Sequence, residues 1–134
     1  MKNRILVIVV ALLAAFLAGF LPQYVKANKL DAELRRLRTE NAQAQLRDLI
    51  GLAYVQANQK NYGLAAETSS RFFSRARELS NQIPDAGSRK ALEDVLQSRD
   101  KVTAELAKGD AAVMSDLQDL FSKTWQVTRA SSEP

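Results

Sequence analysis

The chain has 134 residues, with 19 basic and 15 acidic side chains and neither cysteine nor histidine. This length fits one small domain, and the missing residue types exclude disulfides, thiol nucleophiles and zinc sites built from Cys or His. The positive excess lies in the first 40 residues, because residues 41–134 hold 12 bases and 12 acids. A neutral domain lacks the basic face that binds phosphates, so we predict no nucleic-acid partner.

An uninterrupted apolar segment, Ile5 to Leu21, follows a short basic head that contains Lys2 and Arg4. As a helix it is about 25 Å long, near the lower limit for the hydrocarbon core of a bilayer. We therefore predict that residues 1–22 form a single-pass anchor in the cytoplasmic (inner) membrane. The five bases that follow the segment favour a cytoplasmic domain, but the short basic head of a signal-like segment usually stays inside the cell. We therefore predict an extracytoplasmic domain.

The same segment also fits a cleaved signal peptide. Pro22 is expected to end the apolar helix, and Val25 and Ala27 are aliphatic or small residues at the two positions that a signal peptidase reads. Cleavage after Ala27 would release a soluble helical module that binds an apolar ligand or a client protein. The apolar segment exceeds the usual length of about 7–15 residues, however, and Lys26 lies inside the cleavage motif, so a retained anchor is favoured.

Small residues recur at every fourth position of the apolar segment, at Ala11, Ala15 and Gly19. Such a stripe lets two membrane helices approach closely, so it is a candidate self-association face. The alternative is that alanine is simply common in apolar segments of this kind.

Residues 23–45 are predicted to form a juxtamembrane helical stalk. Leu30, Leu34 and Leu37 follow the spacing of a coiled-coil seam, and Asn41 occupies the next seam position. The stripe could pair with a second chain in a parallel homodimer, or it could pack on the chain's own bundle. The homodimer is favoured, because it would pack both the leucine row and the small-residue stripe against a second chain.

Residues 46–127 are predicted to form an antiparallel helical bundle, because apolar residues recur with the helical period and no segment alternates like a strand. The first helix ends near Asn58, and Asn61 caps the second, which ends before Pro84. The third helix begins at Asp85 or Ser88, continues through Leu106 and ends at Gly109. Asp110 then caps a fourth helix that carries Phe121 and Trp125, and residues 128–134 form a disordered tail.

The first two bundle helices resemble a tetratricopeptide hairpin. The residues that carry the resemblance are Gly51-Leu52-Ala53-Tyr54, Asn61-Tyr62, Ala65 and Pro84. In that family, small residues let the two helices pack closely and a proline ends the unit. No second copy follows at the repeat period, and such repeats need about three copies for stability. The resemblance therefore implies a similar hairpin within a bundle.

No group of side chains indicates catalysis, a cofactor or a metal. Arg99 lies on the apolar stripe of the third helix. This position indicates either an arginine at the rim of the core, which is the preferred interpretation, or a buried ion pair. Glu93 and Asp94 point to different helix faces, and Asp116 and Asp119 are expected in solvent. Adjacent Phe72 and Phe73 are expected to place one ring in the core and one at its boundary.

The sequence therefore predicts a non-catalytic, membrane-anchored helical interaction or scaffold protein of a bacterial-type cell envelope. Its predicted partners are the lipid bilayer and a protein of unknown identity, or a second copy of the chain. The alternative function, the released soluble module, predicts a pocket near Phe72, Phe73 and Trp125.

Overall fold

The computed structural model describes residues 2–130, with the side chains of residues 4–16 and 24–129. Within these residues the secondary structure is helical, which confirms the predicted all-α class and the helical bundle. The elements, in chain order, are α1 (Lys2–Asn58), α2 (Tyr62–Gln82), α3 (Ala86–Gln97), α4 (Arg99–Lys108) and α5 (Val113–Ala130).

The chain divides into two compact units, Met1–Arg38 and Thr39–Pro134. In the first unit, the large apolar side chains described between Ile5 and Phe16 are all exposed, as are those of Leu30, Leu34 and Leu37. The second unit holds the remainder of α1 and all of α2 to α5. It contains the hydrophobic core.

A tight turn joins α1 to α2. Lys60 adopts a left-handed backbone conformation with φ of 61°, and the side chain of Asn61 accepts a hydrogen bond from the backbone N–H of Leu64. The predicted cap at Asn61 is therefore confirmed. Leu49 of α1 and Ser70 of α2 line one groove together with residues further from the turn on both helices, as expected for an antiparallel hairpin.

The core of the second unit is built from one stripe of each helix. On α2, Phe72 and Phe73 are both buried, with ring centroids 5.1 Å apart in an edge-to-face arrangement. The expectation of one core ring and one boundary ring was wrong. Both fit because the buried stripe of α2 is wide enough to include the small residues Ala65, Thr68, Ser69 and Ala76 beside them.

Asp85 is the N-cap residue of α3. Of the two predicted starts, Asp85 and Ser88, the first is therefore confirmed. Its carboxylate accepts a hydrogen bond of 2.7 Å from the backbone N–H of Ser88, and this bond is the main reason that the pKa of Asp85 is lowered. Arg89 donates from its guanidinium to the carbonyl oxygen of Ile83 at 3.0 Å. The two contacts fix the Pro84 turn against the first turn of α3.

The predicted third helix is divided into α3 and α4 at Ser98. The backbone of Ser98 has ψ of −7°, and its N–H donates to the carbonyl of Val95, three residues back, at 3.2 Å. A serine hydroxyl competes for backbone hydrogen bonds, which makes serine a weak residue in a helix interior. The apolar period continues on both sides of the break, with Val95 and Val102 buried, and for this reason the sequence predicted one helix.

Gly109 ends α4 in the left-handed conformation, with φ of 64°, as the sequence predicted. A Cβ atom at this position would lie 3.4 Å from the ring of Tyr62. Asp110 follows, and its carboxylate accepts from the backbone N–H of Ala112 at 2.9 Å. Helix α5 begins one residue later, at Val113.

Replacing Gly109 with alanine is expected to destabilise the bundle by about 1–2 kcal/mol, because an L-residue is strained at positive φ. Chemical denaturation of both proteins measures the difference. Gly63→Ala is the matched control, since a Cβ atom there meets nothing within 4 Å and alanine favours a helix. Equal destabilisation by the two substitutions would contradict the assigned role of Gly109.

Helix α5 continues beyond residue 127, where the bundle domain was predicted to end. Val127 and Thr128 are buried, and the Thr128 hydroxyl donates to the carbonyl of Thr124 at 2.9 Å. The first residues of the predicted tail are therefore helical. Residues 131–134 lie outside the described part of the chain.

Candidate functional site

The most distinctive surface of the second unit lies where α1 and α5 run side by side. The rings of Phe121 and Trp125 stack with centroids 6.1 Å apart and planes inclined by 23°. Arg47 of α1 places its guanidinium carbon 5.2 Å from the centroid of the Trp125 ring. We call this surface, with Gly51 and Val55 of α1, the aromatic face.

Both aromatic rings of this face are accessible to solvent. Phe121 is 38% exposed and Trp125 is 44% exposed, although the sequence placed both on the core stripe of the last helix. Val113, Leu117 and Leu120, which the sequence placed on the same stripe, are buried. The aromatic face is therefore a correction to the predicted core.

Next to the stacked rings lies a groove of about 390 Å³, lined by Gly51, Tyr54, Val55, Gln118 and Phe121. Gly51 has no side chain to fill this groove. A Cβ atom at Gly51 would lie 3.6 Å from the ring of Phe121. Gly51 pairs with Phe121 and Arg47 pairs with Trp125, so α1 and α5 are antiparallel here. The groove can receive apolar side chains from a partner.

A second groove, of about 500 Å³, lies between α1 and α2. Its walls are more polar, and Arg75 in one wall is paired with Glu78 at 2.7 Å. Arg71 donates to the Thr68 hydroxyl at 3.3 Å. Arg71, Arg75 and Glu78 of this groove thus contact neighbouring side chains on α2.

A charged cluster joins α4 to α5. Lys101 Nζ lies 2.7 Å from Asp116 Oδ2 and 3.7 Å from Glu105 Oε1. The hydrogen bond from Lys101 lowers the pKa of Asp116, whereas burial raises the pKa of Glu105, with a further contribution from the carboxyl group of Asp116. Asp116 was expected in solvent and is instead half-buried in this cluster, because Lys101 reaches it from α4.

The two carboxyl groups predict opposite dependences of stability on pH. The stabilisation from Asp116 is fully present above its ordinary pKa of 3.8 and is lost as the pH falls through its lowered value. Glu105 stabilises the fold most below its ordinary pKa of 4.5, and this contribution is lost as the pH rises through the raised value. We expect Asp116→Asn to destabilise the bundle at neutral pH and Glu105→Gln to stabilise it.

Urea midpoints measured between pH 3 and pH 7 check both expectations. The difference between Asp116→Asn and the unchanged protein should shrink as the pH falls below 3.8, because the carboxyl group of the unfolded chain then becomes protonated. Asp119→Asn is the control, because Asp119 pairs with Lys123 on the same exposed helix turn and such pairs contribute little. A constant difference across this range would contradict the role given to Asp116.

The predicted interface residues lie in the first unit. Ala11 and Ala15 are exposed, and Gly19 lies outside the residues whose side chains are described. Leu30, Leu34 and Leu37 are 58%, 41% and 53% exposed. Both readings of the leucine row, pairing with a second chain and packing on the chain's own bundle, stay predictions.

The polar residues considered for chemistry do not come together. Glu93, Asp94 and Arg99 are all exposed, which agrees with the preferred interpretation of Arg99 as a rim residue. Among residues 4–16 and 24–129, no three acidic side chains are grouped closely enough to hold a metal ion. Phe72 and Phe73 are buried whereas Trp125 is exposed, and neither phenylalanine lines the two grooves described above.

In the part of the chain that the structure describes, no helix combines the length and the apolar character that a membrane crossing requires. The anchor over residues 1–22 stays a prediction. Residues 17–23 of this region lie outside those whose side chains are described.

No family model, curated protein or solved structure matches the chain. The tetratricopeptide resemblance thus stays a prediction, although α1 and α2 do form a helical hairpin. Sequence reasoning missed the aromatic face. The one available signal was Gly51, which stands among apolar residues of α1 where a larger side chain would close the groove beside Phe121.

Proposed function

We propose that this chain is a non-catalytic helical interaction protein that is anchored in the cytoplasmic membrane of a bacterial-type envelope and binds a protein partner. The aromatic face is the observation that carries the proposal. Phe121 and Trp125 are stacked in solvent beside an apolar groove, in a unit whose core is filled by other residues.

The chemistry of the face fits protein recognition. Tryptophan and arginine are the residues that most often dominate the binding energy of interfaces, and both are present with Trp125 and Arg47. Their contact orders the indole ring before binding and contributes about 0.5–1 kcal/mol at an exposed site. The adjacent groove lies on the same surface and can receive an apolar side chain of the partner.

The proposed anchor is supported by the apolar segment and by the exposure of its described part. The seven large apolar side chains from Ile5 to Leu12 are 49–68% exposed in the first unit. An apolar surface of this kind is costly in water and stable in lipid. Arg4 at one end and Tyr24 at the other suit the two interfaces of a bilayer.

The non-catalytic assignment is supported by the state of the titratable groups. The chain has no histidine and no cysteine, and the half-buried carboxylate of Asp116 is paired with Lys101. We therefore assign this ion pair to the stability of the bundle and not to catalysis.

Photo-crosslinking tests the interaction directly. A photo-reactive phenylalanine analogue is placed at Phe121 in the full chain and irradiated in living cells, and the same analogue is placed at Glu93, an exposed position on α3, as the control. We expect a discrete adduct from Phe121 and none from Glu93. Equal labelling, or no labelling, from the two positions would overturn the proposed function.

Site-directed labelling tests the orientation. Because the chain lacks cysteine, Ser131→Cys introduces a single thiol behind the bundle. An impermeant maleimide should label it in cells whose outer barrier is opened and whose cytoplasmic membrane is intact. Labelling only after lysis of the cytoplasmic membrane would place the domain in the cytoplasm.

A further inference from the structure

Helix α1 carries an apolar stripe on the side opposite its core-facing side. Within the second unit, Leu46, Ile50 and Ala53 are fully buried. Leu52 and Val55, which point away from the core, are 44% and 48% exposed. The outward side of the helix thus carries apolar residues that its own bundle does not cover.

The outward residues of α1 continue the heptad register of the predicted leucine seam in the sequence. With Leu34 at an a position, the following a positions are Asn41, Asp48 and Val55. The d positions are Leu30, Leu37, Ala44 and Gly51. Six of these seam residues are exposed, whereas Ala44 and Gly51 are half-buried, so most positions of the register can contact another chain.

The flanking charges of this register complement a second copy. In a parallel pair, a g residue of one helix lies opposite the next e residue of the other, and opposite charges there select the partner and the orientation. Lys26 at g meets Asp31 at e, and Glu33 at g meets Arg38 at e. Each pair is attractive between identical chains, and the symmetry of a dimer forms each pair twice.

We propose that the partner is a second copy of this chain, bound in parallel and in register through the outward stripe of α1. The inference rests on the proposed interaction function and names its partner. Asn41 fits it, because one polar residue at an a position fixes the register of a two-stranded coil. Val55 and Gly51 bring the seam to the groove of the aromatic face, which flanks the interface in each copy.

One contact in this register is unfavourable, and a substitution that removes it tests the proposal. Asp48 at an a position places two carboxylates opposite each other, which opposes association. We expect Asp48→Leu to strengthen the dimer about tenfold or more, measured as the dissociation constant of the full chain in mild detergent by sedimentation. Weaker association of this variant would contradict the register.

Disulfide trapping tests the contact itself. Val55→Cys in the full chain should form a disulfide-linked dimer under mild oxidation in membranes, because the Cα atoms of facing a positions come within the range of about 4.4–6.8 Å that a disulfide requires. Glu93→Cys is the control and should remain monomeric. Equal trapping of both variants, or trapping of neither, would overturn the proposal.

Charge reversal tests partner and orientation without touching the core. With Val55→Cys as the reporter, Glu33→Arg alone and Arg38→Glu alone should each lower the trapped fraction several-fold, and the double variant Glu33→Arg with Arg38→Glu should restore it. All three variants change exposed positions, and circular dichroism confirms that they fold. Failure of the double variant to recover would contradict a parallel second copy.

The photo-adduct from Phe121 separates this inference from the proposed function. An adduct with twice the mass of the chain supports both. An adduct of another mass, together with no trapping at Val55→Cys, retains the interaction function and overturns the second copy as the partner.

Discussion

Replacing Phe72 with alanine is expected to lower the free energy of unfolding of the bundle by about 3–5 kcal/mol. Phe72 is the largest fully buried side chain and contacts Phe73 edge to face. Its removal costs the apolar transfer energy and leaves a cavity that the helices fill only in part. Small domains have a total stability of about 5–15 kcal/mol, so a substantial fraction is lost.

Urea denaturation followed by circular dichroism measures this effect, and Leu64→Ala is the matched control on the same helix. Leu64 is 47% exposed, so its truncation should change the stability by less than about 0.5 kcal/mol. If Phe72→Ala proved as mild as Leu64→Ala, the core described for α2 would be wrong.

Replacing Leu12 and Leu13 together with aspartate is expected to release the chain from the membrane. Each aspartate near the centre of a spanning helix costs about 2.5–3.5 kcal/mol of insertion free energy. The combined effect therefore shifts the partition by more than about a thousandfold. The measurement is the fraction of the chain that remains in the membrane pellet after extraction with alkaline carbonate.

The control for this experiment is the replacement of both leucines with alanine, which keeps the segment uncharged. This variant should remain in the pellet. If the aspartate variant also remained there as fully as the unchanged chain, residues 5–21 would not hold the protein in the bilayer.

The helices of the bundle could be predicted from local chemistry. Asn61, Asp85 and Gly109 mark helix ends through side-chain capping or backbone freedom, and each acts as its residue type requires. The break at Ser98 could not be predicted, because buried Val95 and Val102 maintain one apolar stripe across it. Periodicity detects which side is buried and does not detect a small bend.

The aromatic face could not be predicted because it lies at the edge of a stripe. At about 100° per residue, Phe121 and Trp125 stand about 40° and 80° around α5 from Leu117. Whether such residues are buried depends on how closely the next helix approaches. Gly51 on α1 sets that approach, and the two helices are distant in sequence. The sequence likewise left open whether Leu30, Leu34 and Leu37 pair with a second chain or pack on the chain's own bundle.

In the proposed function, the mature protein remains anchored and uses its bundle to bind a partner at the membrane. Intact-mass spectrometry of the protein extracted from membranes with detergent tests both parts of this proposal at the anchor. We expect a chain that still contains residues 5–21 and needs detergent to stay dispersed. A chain that begins at Asn28 and is soluble without detergent would contradict it.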